Sequence, residues 1–512
     1  MGTKVNLDAL IPREDFEIET ESSQSQTTST VQIRDLEASS FFYPNLRKPD
    51  FQRETADWDV EKIVSFLRSF LDGDLIPAII LWQSGQTIFV IDGAHRLGAL
   101  AAWVHDDFGD GKISRDFFDE RVPDEQLTVA DKARRAVKKS IGSYEELQFA
   151  ISNPTKSRPE HVARAKNLGT LALHLQWVRG DAQKAEKSFL KINQQAAPID
   201  KTELQIIEHR QKPNALAARA ILRAGTGHKY WKKFDDEIQD NVETIAKEIN
   251  QLLFRPPLET PIKTLDLPVG GRGFNSRSLR LIFDLVNLVN QPESELPDDT
   301  DGTETIKFIK KTKKVIQRIT GDHPGCLGLH PAIFFYSASG RHQPTAFLAV
   351  IELVRDYSNR KRLKKFTSIR NQFEEFLAKY KSISNQITVK WGSGVKGYGR
   401  LKELYDIIVN QFLDGKSEDE IVNFINSHDT FDFVRFEEHN FKTDSSEFST
   451  ETKSAAFLRD ALSTSVRCDI CDGHIHKNSI SIDHEFRKSE GGTGGLGNAK
   501  LTHPYCNTSI KN

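Results

Sequence analysis

Apolar residues recur at helical spacing between residues 59 and 73 and then give way to two short, continuous apolar runs. The helical face consists of Ile63, Phe66, Leu67 and Phe70, and Gly73 ends the pattern. The apolar runs are residues 76–82 and 87–92, and the Ser-Gly-Gln link between them predicts a β-hairpin of buried strands. Because a further helical stretch, GAHRLGALAAWV, follows directly, the pattern predicts an α/β domain.

The remaining pattern divides the chain into segments. From about residue 128 to 425 it is mainly helical, whereas the first 40 residues and residues 428–455 are polar and lack periodicity. We therefore expect an α+β multidomain protein with these parts: a mobile segment 1–40, an α/β domain 41–210, a helical domain 211–427, a linker 428–455 and a terminal module 456–512.

Composition narrows the class of protein. A chain of 512 residues with 38% hydrophobic and 28% charged residues is globular and long enough for several cores. Its formal net charge of -2 excludes a strongly basic coat for nucleic acid but not local basic patches. We find no apolar run of membrane-spanning length and no secretory signal, so we expect a cytoplasmic protein without a membrane partner.

Three of the four cysteines fall within the last 45 residues, which indicates a metal site rather than a disulfide framework. Cys468 and Cys471 form one pair with two intervening residues, and His503 and Cys506 repeat this spacing. Together they supply the four nitrogen and sulfur ligands of a structural zinc ion, and a module this small would depend on the metal for its stability. The alternative is chance clustering of thiols.

Between the two pairs lies a short β-type run that ends in Asp483-His484, and Asn498 and Asn507 follow it. The order CxxC, DH, GG, N, CN resembles the HNH endonuclease family, which has a ββα-metal fold. The resemblance implies that His484 is the general base that activates water. It also implies that Asp483 and Asn507 hold a divalent cation, Mg²⁺, at the scissile phosphate, and that Asn498 braces the loop between strand and helix.

Several alternatives stay open for this module. His503 would face either the zinc or the catalytic metal, because such modules usually have a cysteine there. The whole module could be a zinc finger that binds DNA without cutting it. The Gly-rich stretch GGTGGLG could be taken for a phosphate-binding loop, but it lacks the flanking strand and helix of such a loop, and we do not favour that interpretation. We expect His474 and His476 to be solvent-facing loop residues, since the zinc tetrad is already complete.

A second motif, Asp92-Gly93-Ala94-His95-Arg96, lies where a buried strand meets a helix. By itself this turn is more often a helix cap than an anion site. Together with Phe51-Gln52-Arg53 and the segment 189–204, which contains Asn193 and Glu203, it resembles the ParB/sulfiredoxin-like domain of GmrSD, SspE and DndB proteins. That resemblance implies binding and hydrolysis of a nucleoside triphosphate, with these nucleotide or phosphate contacts: Arg53, Asp92, Gly93, His95 and Arg96.

Three basic runs, at 131–139, 309–314 and 355–370, could follow a DNA backbone, with Tyr357 and Phe366 as stacking partners in the third. For each run the alternative is a solvated helix face. Taken together, the two resemblances imply a Mg-dependent HNH endonuclease with structural zinc. A ParB-like nucleotide-binding or DNA-sensing domain would regulate it in restriction of foreign or phage DNA. The rival interpretation is a DndB-like DNA-binding regulator with a purely structural zinc module, and the oligomeric state stays open.

Overall fold

The structure, a computed structural model, describes residues 4–16, 28–52, 58–196, 201–273, 276–293, 295–437 and 446–511. The chain forms two compact units. Unit 1 comprises Met1–Gln211 and Thr226–Lys233, and unit 2 comprises Lys212–Gly225 and Phe234–Asn512. Among the described residues, no helix is both long and apolar enough to cross a membrane.

Unit 1 is built around a mixed sheet of six strands: β1 (Arg13–Glu14), β2 (Thr30–Gln32), β3 (Leu46–Pro49), β4 (Ile79–Ser84), β5 (Thr87–Asp92) and β6 (Ala172–Trp177). The spatial order is β1-β3-β5-β4-β6-β2. Strands β4 and β5 pair antiparallel through the predicted hairpin, and β3 and β6 flank them in parallel pairings. The sheet therefore combines a local hairpin with strands that come from distant parts of the chain.

The helices of unit 1 cover this sheet: α1 (Val60–Asp72), α2 (Ala94–His105), α3 (Lys112–Phe117), α4 (Asp124–Ser140), α5 (Tyr144–Ser152), α6 (Pro159–Leu168), α7 (Ala182–Ala196) and α8 (Lys201–Glu208). Helix α1 begins and ends where the sequence predicts. The Asp59 side chain accepts a hydrogen bond from Lys62 N at 3.0 Å, and Gly73 ends the helix with φ of 75°. Ile63, Leu67 and Phe70 are buried, which confirms the predicted face.

The start of the chain contributes to the core of unit 1. Val5, Leu10 and Ile11 are buried, although the sequence analysis assigned them to the segment 1–40, expected to be mobile. Nearby, the buried carboxylate of Asp8 lies 2.7 Å from Lys48 Nζ and 3.3 Å from Arg13 Nη2. These polar partners come from separate segments, which explains why local composition did not predict the packing.

Unit 2 is mainly helical. Its helices are α9 (Pro213–Leu222), α10 (Asp236–Phe254), α11 (Ser276–Asn290), α12 (Thr303–Ile319), α13 (Pro331–Phe334), α14 (Pro344–Asn359), α15 (Leu363–Ser368), α16 (Arg370–Lys379), α17 (Ile383–Trp391), α18 (Tyr398–Leu413), α19 (Glu418–Asn426) and α20 (Thr450–Ser463). The expected buried helix at 345–354 is α14, which packs against α11, α12 and α18. A small antiparallel hairpin follows, formed by β7 (Ser481–His484) and β8 (Ala499–Thr502). A π-helical turn, Cys506–Ile510, comes after the hairpin.

Candidate functional site

The cysteine and histidine side chains of the terminal module converge on one point. One ligand atom from each of Cys468, Cys471, His503 and Cys506 lies within 4.8 Å of the others. The loop between the first two cysteines is a tight turn in which Cys468 N donates to Gly473 O and Asp472 N donates to Cys468 O, each at 2.9 Å. Three thiolate sulfurs and one imidazole nitrogen form a donor set typical of a structural zinc ion. The cluster therefore fits a zinc module.

The orientation of His503 is set by its second ring nitrogen. Its Nε2 lies 3.0 Å from the carbonyl oxygen of His474, which can only accept, so Nε2 carries the proton. The lone pair of Nδ1 then faces the thiols, at 3.4 Å from Cys471 Sγ and 3.9 Å from Cys506 Sγ. An N–H donated to a backbone carbonyl is the usual support of a metal-binding histidine. This geometry favours His503 as a ligand of the cysteine cluster.

A buried ion pair on α16 supports the cluster from the helical side. Arg370 Nε donates to Glu374 Oε1 at 2.6 Å, and neither side chain is exposed to solvent. Arg370 Nη1 lies 3.2 Å from His503 Nδ1, and Glu374 Oε2 accepts from the backbone N–H of His474 at 2.7 Å. A Cβ on Gly473 would lie 2.6 Å from Arg370 Nε, so the knuckle approaches the guanidinium closely because this residue is glycine.

The hairpin carries the Asp-His pair. In the β7–β8 register Asp483 faces Lys500 and His484 faces Ala499. Asp483 is buried, and His484 is half-buried. Asn507, in the π-helical turn, donates from its amide nitrogen to Ser481 Oγ at 2.7 Å and to Ile482 O at 3.3 Å. Two strands and a helical turn thus bring Asp483, His484 and Asn507 into one small region of the chain.

Asn498 holds the loop that follows His484. Its Oδ1 accepts from Phe486 N at 2.6 Å, and its Nδ2 donates to Phe486 O at 3.1 Å and to Thr493 O at 2.7 Å. One amide side chain therefore closes both ends of a Gly-rich loop whose regular structure is limited to two short 3-10 turns, Lys488–Glu490 and Leu496–Asn498. These contacts are those of a bracing residue.

Lys511 is a site residue that the sequence analysis did not identify. Its Nζ lies 2.6 Å from Asp483 Oδ2, and it also donates to the carbonyl oxygen of His484. A cation therefore occupies the position next to the carboxylate and a backbone carbonyl. The sequence carries no signal for this contact, because a lysine near the end of a chain is most often solvent-exposed.

The expectation that His474 and His476 face solvent was wrong. Both are only 2% exposed. His474 Nδ1 lies 2.5 Å from Ser465 Oγ, while the His476 ring lies 5.6 Å from that of buried His330. Burial lowers the pKa of His476 to about 4. The error arose because the module packs against the helical part of unit 2, which the local sequence does not reveal.

In unit 1 the Asp92-to-Arg96 turn has the predicted shape, but two of its predicted ligands bind each other. Gly93 has φ of 95° and a Cβ there would lie 2.4 Å from Ile79, so the turn requires glycine. Arg96 Nη2 lies 2.6 Å from Asp92 Oδ2, and Nη1 donates to Pro77 O. The ring of His95 stacks on Trp58 at 5.8 Å.

The side chains of three other residues assigned to this motif lie outside the described part of the chain. Arg53 lies outside the described residues, as do the side chains of Asn193 and Glu203. The interpretation of Asp92, Gly93, His95 and Arg96 as a phosphate site therefore stays a prediction. Arg96 also stabilises the local structure, because it donates both to Asp92 at the end of β5 and to Pro77 in the segment before β4.

The basic runs differ in how many of their charges are paired. In the first run Arg134 contacts Asp106 and Asp110, and in the third Arg355 and Arg360 contact Glu352 and Asp356. The expected stacking role of Tyr357 and Phe366 was wrong, because these rings are only 1% and 2% exposed. They pack inside the helical core, where no base can reach them.

The comparisons with known proteins bear on unit 1. No curated protein and no solved structure matches the chain. Residues 35–210 match the family model described as the N-terminal domain of the GmrSD restriction endonuclease. This range covers most of the sheet and the Asp92-to-Arg96 turn. The match supports a restriction protein of the GmrSD type.

Proposed function

We propose that the chain is a divalent-cation-dependent DNA endonuclease whose HNH-type active centre is formed by Asp483, His484 and Asn507. The observation that carries this proposal is the hydrogen bonding of Asn507 to the strand that presents the Asp-His pair. The family match of residues 35–210 supports the restriction class independently, since it lies entirely outside the terminal module.

The donor chemistry fits a hard cation. Carboxylate and amide oxygens are the ligands that Mg²⁺ takes in proteins, and Asp483 and Asn507 offer one of each. The ammonium group of Lys511, at 2.6 Å from Asp483 Oδ2, already shows that a positive charge is stabilised at this carboxylate. When bound, a divalent cation would stabilise the negative charge that develops on the phosphate and the leaving oxygen.

The side chains have separate roles in this mechanism. His484 removes the proton from the attacking water, a task suited to a neutral imidazole because one of its ring nitrogens accepts a proton. Asp483 and Asn507 hold the cation, and Asn498 keeps the loop after His484 closed through its bonds to Phe486 and Thr493. The zinc cluster and the Arg370–Glu374 pair are positioning elements, because they fix the turn that carries Asn507.

Unit 1 would control this reaction. We include in the proposal that the turn containing Asp92, Gly93, His95 and Arg96 contacts the phosphates of a nucleoside triphosphate, or a DNA backbone, and so regulates cleavage. A backbone with unpaired N–H groups at the start of a helix suits an anion. For Arg96 to contribute, its guanidinium would bind phosphate with donors other than those engaged by Asp92 and Pro77.

Plasmid nicking tests the catalytic proposal. Supercoiled plasmid, with and without DNA modification, is incubated with the full chain, Mg²⁺ or Mn²⁺ and each nucleoside triphosphate in turn. We expect relaxed or linear product from the wild type and a loss of at least about a hundredfold in rate for His484→Ala, since general-base catalysis typically contributes this much. EDTA should abolish the reaction in the wild type.

A matched control uses His174→Ala, which removes an exposed imidazole from β6 in unit 1 and should cut like the wild type. Equal activity of His484→Ala and wild type would refute the assignment of the base. Intact plasmid under all conditions, with DNA binding retained, would instead favour the rival DndB-like regulator with a structural zinc module.

A further inference from the structure

The exposed lysines of α15 differ from the arginines of their basic run, because protein side chains bind the arginines. Arg355 and Arg360 are held by carboxylates, and Arg362 donates to Asn410. Lys364 and Lys365 are exposed, and within the described residues neither ammonium group has an ion pair or a hydrogen bond. The buried face of the same helix is formed by Leu363, Phe366 and Thr367, so both ammonium groups are presented on its outer side.

This helix lies next to the candidate active centre. It packs beside the π-helical turn Cys506–Ile510, and that turn in turn packs against β7. Asn507 projects from the turn to β7 through its bonds to Ser481 and Ile482. The helix that carries the two lysines therefore packs against the turn that carries Asn507. The π-helical turn is also fixed to the loop after α12, since Thr508 Oγ1 donates to Pro324 O at 2.6 Å.

The remaining exposed charge around the hairpin completes the surface. Lys488, four residues after His484, is exposed and without a carboxylate partner in the part of the chain that the structure describes. In contrast, Lys500 lies 3.5 Å from Glu485, and Lys511 is bound to Asp483. Unpaired positive charge thus flanks the Asp-His strand on the side of α15 and on the side of the loop.

We propose that Lys364, Lys365 and Lys488 form a DNA phosphate-binding surface that places the backbone of duplex DNA across the Asp483–His484–Asn507 centre. This inference rests on the proposed nuclease function and adds the residues that hold its substrate. Each lysine binds phosphate as a point charge and releases counterions, so the contacts contribute to affinity without reading sequence. Recognition of sequence or modification therefore belongs to other residues.

The test measures binding separately from cleavage. In the His484→Ala background, the affinity for a fluorescent duplex of about 25 base pairs is measured by anisotropy across a salt series. We expect Lys364→Ala/Lys365→Ala to lower the slope of log K against log salt by about 2, since each phosphate contact contributes about 0.9. The loss should be the same for modified and unmodified DNA, and Lys364→Arg/Lys365→Arg should restore the slope.

The control is Lys184→Ala/Lys187→Ala, which removes the same charge from two exposed lysines of α7 in unit 1 that lie outside the three basic runs and have no ion pair among the described residues. An equal fall in slope for both double variants, an unchanged slope for the α15 variant, or no binding of duplex at all would overturn the surface. If the lysines carry binding but the wild type never cuts, the surface stands and the nuclease proposal fails. If the wild type cuts and the slope is unchanged, only the surface fails.

Discussion

Lys511 shows how a single side chain can set the cation requirement of the proposed centre. Its ammonium group satisfies the Asp483 carboxylate at 2.6 Å and also binds the carbonyl oxygen of His484. A divalent cation that binds Asp483 must compete with this partner. Because like charges repel at short distance, the two cannot share the carboxylate at full strength.

We therefore predict that Lys511→Ala lowers the Mg²⁺ concentration needed for half-maximal nicking, by roughly three- to tenfold for a loss of about 1 kcal/mol of competing interaction. The measurement is a Mg²⁺ titration of the nicking rate. The matched control is Lys500→Ala, which removes a more exposed ammonium group on β8 that is paired with Glu485. This variant should leave the midpoint of the Mg²⁺ titration unchanged. A higher Mg²⁺ requirement for Lys511→Ala would mean that the ammonium assists the cation.

At the scale of elements, α16 and the turn that carries Cys468 and Cys471 form one structural piece. Arg370 and Glu374 are fully buried, and between them they contact His503, the backbone of His474 and the carbonyl oxygens of Leu327 and Gly328. The loop after α12 takes part as well, because Cys326 O accepts from Tyr505 N. A charge in this position is tolerated only because every partner is present.

Removing one member should therefore be costly. Arg370→Met leaves Glu374 as an uncompensated buried charge, and we predict a loss of about 3–5 kcal/mol in the free energy of unfolding of unit 2. The double variant Arg370→Met/Glu374→Gln should recover part of this loss, since the amide oxygen can still accept from His474 N. Urea-dependent hydrogen exchange in α16 provides the measurement.

The control for that pair is Arg400→Met, which breaks the exposed contact with Glu403 and should cost less than about 1 kcal/mol. If Arg370→Met were as stable as Arg400→Met, the buried pair would not support the knuckle. If the double variant were no more stable than Arg370→Met, the loss would come from packing and not from the unpaired carboxylate.

Local elements were predictable, but their tertiary partners were not. The helix α1, the hairpin β4–β5 and the buried helix α14 follow from spacing within a few turns of chain, and the cysteine and histidine cluster follows from two such local spacings in separate segments. The burial of His474 and His476, the ion pair of Arg370 with Glu374 and the contact of Lys511 with Asp483 depend on long-range packing instead. Charge runs likewise gave no indication of which lysines are free, because pairing is decided by neighbouring elements.

At the scale of the whole molecule, unit 2 contains the candidate metal-binding cluster and several buried imidazoles. His330 and His476 lie with rings 5.6 Å apart, and each is no more than 2% exposed. Burial lowers the pKa of His330 well below its usual value. Nearby positive groups lower it further: His476, His474, Lys381 and Arg370. Neither ring nitrogen of His476 has a hydrogen-bond partner among the residues that the structure describes.

Acid should therefore destabilise unit 2 through these imidazoles. His476 has a folded pKa of about 4 against 6.5 for the unperturbed side chain, so between these values the unfolded chain binds the proton and the folded chain does not. Stability is present above pH 6.5 and is lost as the pH falls toward 4, by up to about 3 kcal/mol for this group.

The variant His476→Phe isolates this contribution, because it keeps a buried ring but removes the titrating nitrogens. We predict that its free energy of unfolding, taken relative to that of the wild type, rises steadily as the pH falls from 6.5 to 4, since the variant lacks one proton-binding site of the unfolded state. Hydrogen exchange in α14 and α18 at several urea concentrations measures it, and the difference cancels the effect of acid on the cysteine and histidine cluster common to both proteins. A difference that stays constant over this range would show that His476 is protonated in the folded protein, and burial would then not control its titration.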